Sequence, residues 1–305
     1  MPTPAPPAVP LVPEVAAFYT AQSAVSAPGR LADAYAALPA DPGQLTRVAR
    51  GLVIHRLEGE HLGYAIPEDR LHHDAETRYL DDILRIILDR NDAPLTEERP
   101  HGDRFVGICR DFALLLCSFL RHVGIPARLR YGFADYFADD GFHADHAVTE
   151  YWDERRGWLL ADANVAAEPP AGIDPLDVPR DRFLTAGASW HAVRAGGADP
   201  ATFGVRTPEI TLVGEGEIGH ALRVDLAMLN GSEPLLWDVW GENPTDDADL
   251  TEADRARFDR VARLTDPAVD FAAARELYAT DPRLRTPGTV LSLAPFLGPR
   301  EVTLR

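Results

Sequence analysis

Cysteine is scarce in this sequence. The 305 residues include two cysteines and two methionines, so the chain has no disulfide framework of the kind that holds small secreted domains together. A chain of this length buries about three-quarters of the surface that it exposes when unfolded, which is enough for a stable core without cross-links. No run of 18 consecutive apolar residues occurs, and a membrane-spanning helix is therefore not predicted.

Positive charge is also in short supply. Lysine and arginine number 30 against 48 acidic residues, which gives a formal net charge of −18. Such a field repels phosphate backbones and anionic lipid surfaces, so neither nucleic acid nor a membrane is an expected partner. The first residues, MPTPAPPAVPLVP, lack the basic segment and apolar core of a secretory signal. We therefore expect a cytoplasmic protein, and nothing in the sequence indicates an oligomeric state.

The sequence changes character three times along its length. Residues 1–13 contain six prolines and are predicted to form a disordered arm. Apolar spacings of three and four then predict a helical region up to about residue 95. This region is expected to form one unit with the residues up to 165, and residues 166–305 are expected to form an α/β extension that packs on it. Within the extension, strands are predicted over 210–213 and 221–226.

A helix with a cysteine in its first turn is predicted after the motif GICRDF at 107–112. Apolar residues from Phe112 to Leu120 fall on one face of this helix, and the sequence GIP at 124–126 ends it. Cys109 lies where unpaired backbone N–H groups and the positive end of the helix dipole stabilise a thiolate. Cys117 lies in the middle of the helix, without either influence, and is interpreted as a core residue.

Three strands are predicted to follow, over residues 127–133, 146–151 and 158–162. If Trp152 faces Trp158 across the turn at 153–157, paired positions sum to 310 and Val148 faces Asp162. His146 is then diagonal to Asp162 on the same face, with side-chain origins roughly 7–8 Å apart. An imidazole and a carboxylate meet across that distance, whereas a slip of one residue would separate them.

Cys109, His146 and Asp162 are together the residue types that activate a cysteine thiol as a nucleophile. Cys109 is the candidate nucleophile. His146 would take its proton and later return it to a leaving group, and Asp162 would hold the imidazole in the useful tautomer and stabilise its charge. The backbone N–H of Cys109 is a natural donor to an oxyanion. A second oxyanion donor is not identifiable from the sequence.

Further residues near this group are candidates for substrate binding. His143 and Asp145 are expected at the mouth of the cleft, where an acidic group can meet an amine. Three others share the strands or follow them, namely Glu150, Trp152 and Asn164. An alternative interpretation of His143, Asp145 and His146, together with His72 and His73, is a metal site. A second alternative is a binding module without turnover.

Two pairs of motifs resemble a known family. GICRDFALLL and LRHVGIPAR resemble the cysteine helix of the transglutaminase-like superfamily, and HAVTEYW and GWLLAD resemble its histidine and aspartate strands. The resemblance, over about residues 75–165, implies a papain-like α+β core in which the cysteine helix packs on an antiparallel sheet. It also implies a Cys-His-Asp triad at Cys109, His146 and Asp162. Val148 stands where the family usually has an aromatic residue, and Ala163 and Asn164 stand where it commonly has Pro-Thr.

For a stand-alone bacterial member, the resemblance implies thiol-dependent acyl transfer through an acyl-enzyme. The expected donor is an amide or thioester, and the expected partner is a peptide, an amine or a small-molecule acyl compound. We expect hydrolysis, as by a peptidase or amidase; an amide-forming or transamidating acyltransferase in a biosynthetic pathway is the alternative. No cofactor is expected. Crosslinking members of the family use calcium, and this sequence contains no Asp-x-Asp-x-Asp-Gly loop for it.

Overall fold

The computed structural model describes residues 10–207, 210–241 and 247–305. In these residues the α-helices are α1 (Pro13–Thr20), α2 (Pro42–Leu52), α3 (Glu68–His73), α4 (Leu80–Arg90), α5 (Cys109–His122), α6 (Ala186–Arg194), α7 (Glu215–Leu229), α8 (Glu252–Thr265) and α9 (Phe271–Thr280). The strands are β1 (Val53–His55), β2 (Phe105–Gly107), β3 (Ala127–Ala134), β4 (His143–Asp153), β5 (Gly157–Ala161), β6 (Phe183–Thr185), β7 (Phe203–Arg206), β8 (Thr211–Val213), β9 (Asp238–Val239), β10 (Thr289–Ser292) and β11 (Arg300–Thr303). The α+β class is confirmed. Most of the predicted N-terminal arm lies outside the described residues, and α1 begins at Pro13.

The N-terminal region is mainly helical, as predicted, but it also contains a short strand. Helices α1 to α4 occupy most of it, and β1 follows directly on α2. This strand pairs in parallel with β2, so that His55 lies opposite Gly107. The pairing places a histidine of the N-terminal region beside the residues that lead into α5.

The largest sheet in the described residues has the strand order β6-β3-β4-β7-β8, with β5 also paired to β4. The pairs β3–β4 and β4–β5 are antiparallel, as predicted; β3–β6 is also antiparallel, whereas β4–β7 is parallel. Strand β4 changes partner on one side, because its residues 149–153 pair with β5 and its residues 143–144 pair with β7. Residues 145–148 have no strand partner on this side in the described structure. His146 lies in that gap.

Helix α5 is buried on nearly all sides and packs on β4. All its residues from Cys109 to Arg121 are buried, and the Thr149 hydroxyl of β4 donates to the carbonyl of Ala113 at 2.9 Å. Full burial of each large side chain, such as Phe112 or Phe119, stabilises the fold by about 1.5–3 kcal/mol. Asp111 accepts from the Ile108 N–H at 2.9 Å and so fixes the start of the helix. The first turn of α5 is therefore held firmly in place.

The residues after 165 contribute to the same sheet and core as those before it. Strands β6, β7 and β8 belong to the main sheet, and one hydrophobic cluster contains Phe112 of α5, Leu222 of α7 and Phe258 of α8. The strand predicted over 210–213 is confirmed as β8. None of the helices in the described parts of the chain is both long and apolar enough to cross a membrane.

The strand predicted over 221–226 is wrong, because these residues lie within α7. The alternation of apolar and charged residues that suggested a strand has another cause. Asp225 accepts two hydrogen bonds from buried Arg130, at 3.0 and 2.9 Å, and Arg223 donates to the Trp240 carbonyl at 3.0 Å. Since all residues from 216 to 229 are buried, the charged residues are buried with partners rather than turned to solvent.

Candidate active site

A cleft of about 630 Å³ opens over the N-terminus of α5. Cys109 lines it, as does His146, and the cysteine is 6% exposed. As the first residue of α5, Cys109 has a backbone N–H that no carbonyl of the helix can accept. The sulfur and this N–H are thus both available at the end of a buried helix, where the helix dipole favours negative charge.

His146 and Asp162 are in direct contact. Nε2 of His146 donates to Oδ2 of Asp162 at 2.8 Å, and both side chains are almost completely buried. Trp152 faces Trp158 in the β4–β5 pairing, which confirms the register predicted from the sequence. Asp162 is held in turn by the Tyr136 hydroxyl at 2.7 Å and by the Asn164 backbone N–H at 3.0 Å.

The charges of the three groups reinforce one another. Burial lowers the pKa of His146, but the Asp162 carboxylate and, after it, Cys109 overcome this and raise it from 6.5 to about 10. Burial raises the pKa of Asp162, but the charge of His146 more than offsets this effect, so the pKa of Asp162 is lowered overall. Cys109 and His146 line the same cleft. Because Nε2 is engaged by Asp162, Nδ1 is the nitrogen left to exchange a proton with the thiol.

Two of the predicted substrate-binding residues line the cleft. Asp145 does so beside His146, and the Tyr131 hydroxyl donates to its Oδ2 at 3.1 Å. Asn164 lines the cleft as well, with a buried Oδ1 that has no hydrogen-bond partner in the described structure. His143 does not: its ring is stacked on Phe203, with centroids 4.5 Å apart, because residue 143 pairs with residue 203 of β7.

The structure places the other two predicted binding residues, Glu150 and Trp152, away from the cleft. Glu150 is buried and bonded to three arginines, with Arg128 at 2.8 Å, Arg130 at 3.3 Å and Arg180 at 2.6 Å. Burial alone would raise the pKa of Glu150, but the arginines lower it strongly, so it is an anchor of the sheet. Trp152 lies six residues along β4 from His146, roughly 20 Å away, and packs edge-on against Trp158.

Sequence reasoning missed two groups that line the cleft. Glu217 of α7 is 94% buried, since 6% of it is exposed, and no hydrogen bond or ion pair engages its carboxyl in the described part of the chain. Burial, and then the charge of Asp145, raise the pKa of Glu217 from 4.5 to about 8. His55 of β1 is the second group. No pattern in the sequence singles out Glu217, because α7 carries other charged residues, and His55 follows a short apolar run that carries no signal of its own.

The cleft therefore has an acidic pair, Asp145 and Glu217, close to the thiol. Burial raises the pKa of Asp145 to about 6, against the opposing influences of Tyr131 and His146. Tyr131 lines the same cleft as both carboxyls and Cys109. Since the pKa of Glu217 is raised further than that of Asp145, Glu217 is the carboxyl that holds a proton more readily at neutral pH.

In the ranges that the structure describes, no group of three or more histidine, cysteine or acidic side chains is arranged to hold a metal ion. His146 is engaged by Asp162. His143 is stacked on Phe203, and His72 is stacked on Phe296 with centroids 5.3 Å apart. These histidines thus have separate packing roles.

Comparison with known proteins agrees with the motifs in the sequence. Residues 95–163 match the family model of the transglutaminase-like superfamily, which confirms the resemblance. No curated protein matches the chain significantly. Among solved structures, a candidate cysteine protease from Cytophaga hutchinsonii is 18% identical, with a TM-score of 0.36, over 59% of this chain and 50% of that one. The chain thus spans half the length of that structure, and a similarity this loose bears on neither fold nor activity.

Proposed function

We propose that the protein is a cysteine enzyme that transfers an acyl group by way of a Cys109 thioester, since residues 95–163 match the family model of the transglutaminase-like superfamily. The observation that carries the proposal is the buried His146–Asp162 hydrogen bond, beside a cleft that His146 lines together with Cys109. Cys109 of α5 and His146 of β4 line one cleft, and Asp162, the residue after β5, is bonded to His146 away from the cleft surface. A purely structural cysteine would not need to line a cleft, as Cys109 does.

The reaction proceeds in two steps. The Cys109 thiolate attacks the carbonyl carbon of an amide or thioester, and a tetrahedral intermediate forms. Its collapse breaks the bond to the leaving group, which takes a proton from His146. His146, now neutral, removes a proton from the acceptor as it attacks the thioester carbon, and the thiolate leaves. Asp162 stays ionised and keeps the imidazole oriented throughout. With water as acceptor the reaction is hydrolysis, as in a peptidase or amidase.

The test is labelling of the native protein with iodoacetamide across about pH 5 to 9, with mass spectrometry to locate the label. Because the raised pKa of His146 keeps the imidazolium charged at every pH below about 10, the ion pair with the thiolate is expected to persist under acidic conditions. We expect fast labelling at Cys109 already near pH 6, well below the 8.5 typical of a free thiol. His146→Ala should slow it.

Cys117 is the internal control for this experiment. It is completely buried, and burial raises its pKa to about 12, so it should stay unlabelled while the protein is folded. Slow labelling of Cys109 that follows the pH profile of an ordinary thiol would contradict the proposal and favour a binding module.

A second candidate, transfer of the acyl group to an amine, is favoured by the acidic pair. A cationic group bound there would favour the ionised form of both carboxyls and gain one or two charge-assisted hydrogen bonds, each worth about 1.5–3 kcal/mol. Glu217 has no protein partner in the described residues that would compete for it. A compound with one ammonium group at this pair would hold a second, neutral amine toward the acyl-Cys109.

This candidate predicts a difference between diamines and monoamines. With p-nitrophenyl acetate as donor, 1,4-diaminobutane should be acetylated in preference to n-butylamine by the wild type. Glu217→Gln should reduce that preference by about tenfold, because the neutral amide cannot pair with an ammonium. The measurement is the ratio of amide to acetate, by mass spectrometry. Acetate as the product with either amine would leave hydrolysis as the reaction, and equal acetylation of the two amines would mean that Asp145 and Glu217 do not select the acceptor.

A further inference from the structure

His55 is a cleft residue that the triad does not use. Its strand β1 runs parallel to β2 with His55 opposite Gly107, two residues before Cys109. The backbone N–H of Arg56 donates to the Gly107 carbonyl at 2.9 Å, which extends this pairing by one further bond. The charges of His146 and Asp162 both act on the His55 ring. The imidazole therefore lies close to the nucleophile and to its base.

A hydrogen bond to Nδ1 fixes the tautomer of the His55 ring. The backbone N–H of Leu57 donates to Nδ1 at 3.2 Å. Since a backbone amide can only donate, Nδ1 carries no proton, and the proton of the neutral ring is on Nε2. Burial, together with the positive charges of His146, Arg56 and Arg50, lowers the pKa of His55 to about 3. Throughout the physiological range His55 is thus a neutral donor through Nε2–H.

The surroundings of His55 hold the ring in place. Glu58 Oε1 accepts from the His55 backbone N–H at 2.7 Å, and Arg50 binds the same carboxylate through two hydrogen bonds of 2.9 Å each. The Glu58 N–H donates to the His55 carbonyl at 3.0 Å, which closes the turn. A donor held by such a network needs little reorganisation when charge develops in front of it. No group in the described residues accepts a hydrogen bond from Nε2.

We propose that the Nε2–H of His55 and the backbone N–H of Cys109 together form the oxyanion hole of this enzyme. The inference rests on the proposed acyl transfer. As the Cys109 sulfur bonds to the carbonyl carbon, the carbonyl electron pair moves onto oxygen, and this oxygen accepts both hydrogen bonds. When the intermediate collapses, the C=O bond reforms and the leaving group takes its proton from His146. His55 keeps its proton in every step.

A neutral donor suits this position. An imidazolium at residue 55 would place a second positive charge beside His146 and would oppose its protonation, which the thiolate needs. A neutral Nε2–H interacts weakly with a ground-state carbonyl and more strongly with the oxyanion, so its contribution is largest in the transition state. Cys109 and His55 approach the carbonyl oxygen from the two chain segments that the β1–β2 pairing joins.

The test compares two reactions of Cys109, only one of which creates an oxyanion. Acylation by p-nitrophenyl acetate passes through a tetrahedral intermediate, whereas alkylation by iodoacetamide is a displacement at a saturated carbon. We expect His55→Ala to slow acylation by about 10²- to 10³-fold and to change the alkylation rate by less than about twofold. His55→Gln, which retains an N–H donor, should recover at least about tenfold of the acylation rate lost in His55→Ala.

His122→Ala is the matched control. His122 is exposed at the far end of the same helix, roughly 20 Å from Cys109, and its removal should change neither rate. If His55→Ala slows acylation and alkylation equally, His55 acts on the thiolate rather than on the oxyanion, and the inference is overturned. Unchanged acylation in His55→Ala overturns it as well. A wild-type protein with neither fast alkylation nor acylation would instead overturn the proposed function itself.

Discussion

Replacing Cys109 with alanine is expected to lower the turnover of p-nitrophenyl acetate by about 10⁴-fold or more, because no thioester can then form. The change removes one small side chain at the edge of the cleft. The helix start stays in place, since Asp111 still accepts from the Ile108 N–H. Circular dichroism and the thermal midpoint should therefore match those of the wild type.

Cys117→Ala supplies the comparison, because it removes a thiol from the same helix two turns further on. Cys117 packs in the core beside Arg121, which interacts with it, and it has no access to the cleft. This variant should keep most of the activity, even if its stability falls slightly. Equal losses of turnover in the two variants would mean that Cys109 is not the nucleophile.

Asp162→Asn is expected to lower turnover by roughly 10³- to 10⁴-fold. The asparagine amide can donate to Nε2 of His146, which places the imidazole proton on the nitrogen that must accept it from the thiol. Loss of the carboxylate also removes the largest influence that raises the pKa of His146, so burial then lowers it. We expect the alkylation rate of Cys109 at about pH 6 to fall along with turnover.

Tyr136→Phe separates the charge of Asp162 from its orientation. The Tyr136 hydroxyl donates to the same oxygen, Oδ2, at 2.7 Å, and its removal leaves the carboxylate charged. The expected loss is about tenfold or less, with little change in the pH profile of alkylation. A loss as large as that of Asp162→Asn would indicate that Asp162 acts by position alone.

The β4–β5 hairpin shows how much of the site can be predicted from the sequence. Two tryptophans on either side of a short turn fix the register, and the register brings His146 to Asp162 without any knowledge of the rest of the fold. The position of Cys109 follows from the helix start in the same local way. Each inference depends on fewer than about twenty consecutive residues, within which spacing determines geometry.

The missed residues depend on pairings between distant segments. His55 reaches the site because β1 pairs with β2, about fifty residues later in the chain, and three-residue strands carry almost no periodic signal. Glu217 lies on a helix buried on all sides, which has no apolar stripe by which to recognise it. Glu150 was predicted near the site because its pairing with Arg180 could not be foreseen. Arg180 comes from a region without regular structure.

Because β4 changes partner along its length, the proposed catalytic residues and much of the cleft wall come from different parts of the chain. Cys109, His146 and Asp162 come from one stretch of about fifty residues, whereas Glu217 and other parts of the cleft wall, such as Val205 and Trp237, come from later segments. Mutations after residue 203 can therefore reshape the wall while Cys109, His146 and Asp162 keep their places. Under the proposed function, a lineage that inherits this chain would acquire a new acyl substrate by small steps, each of which keeps the nucleophile intact.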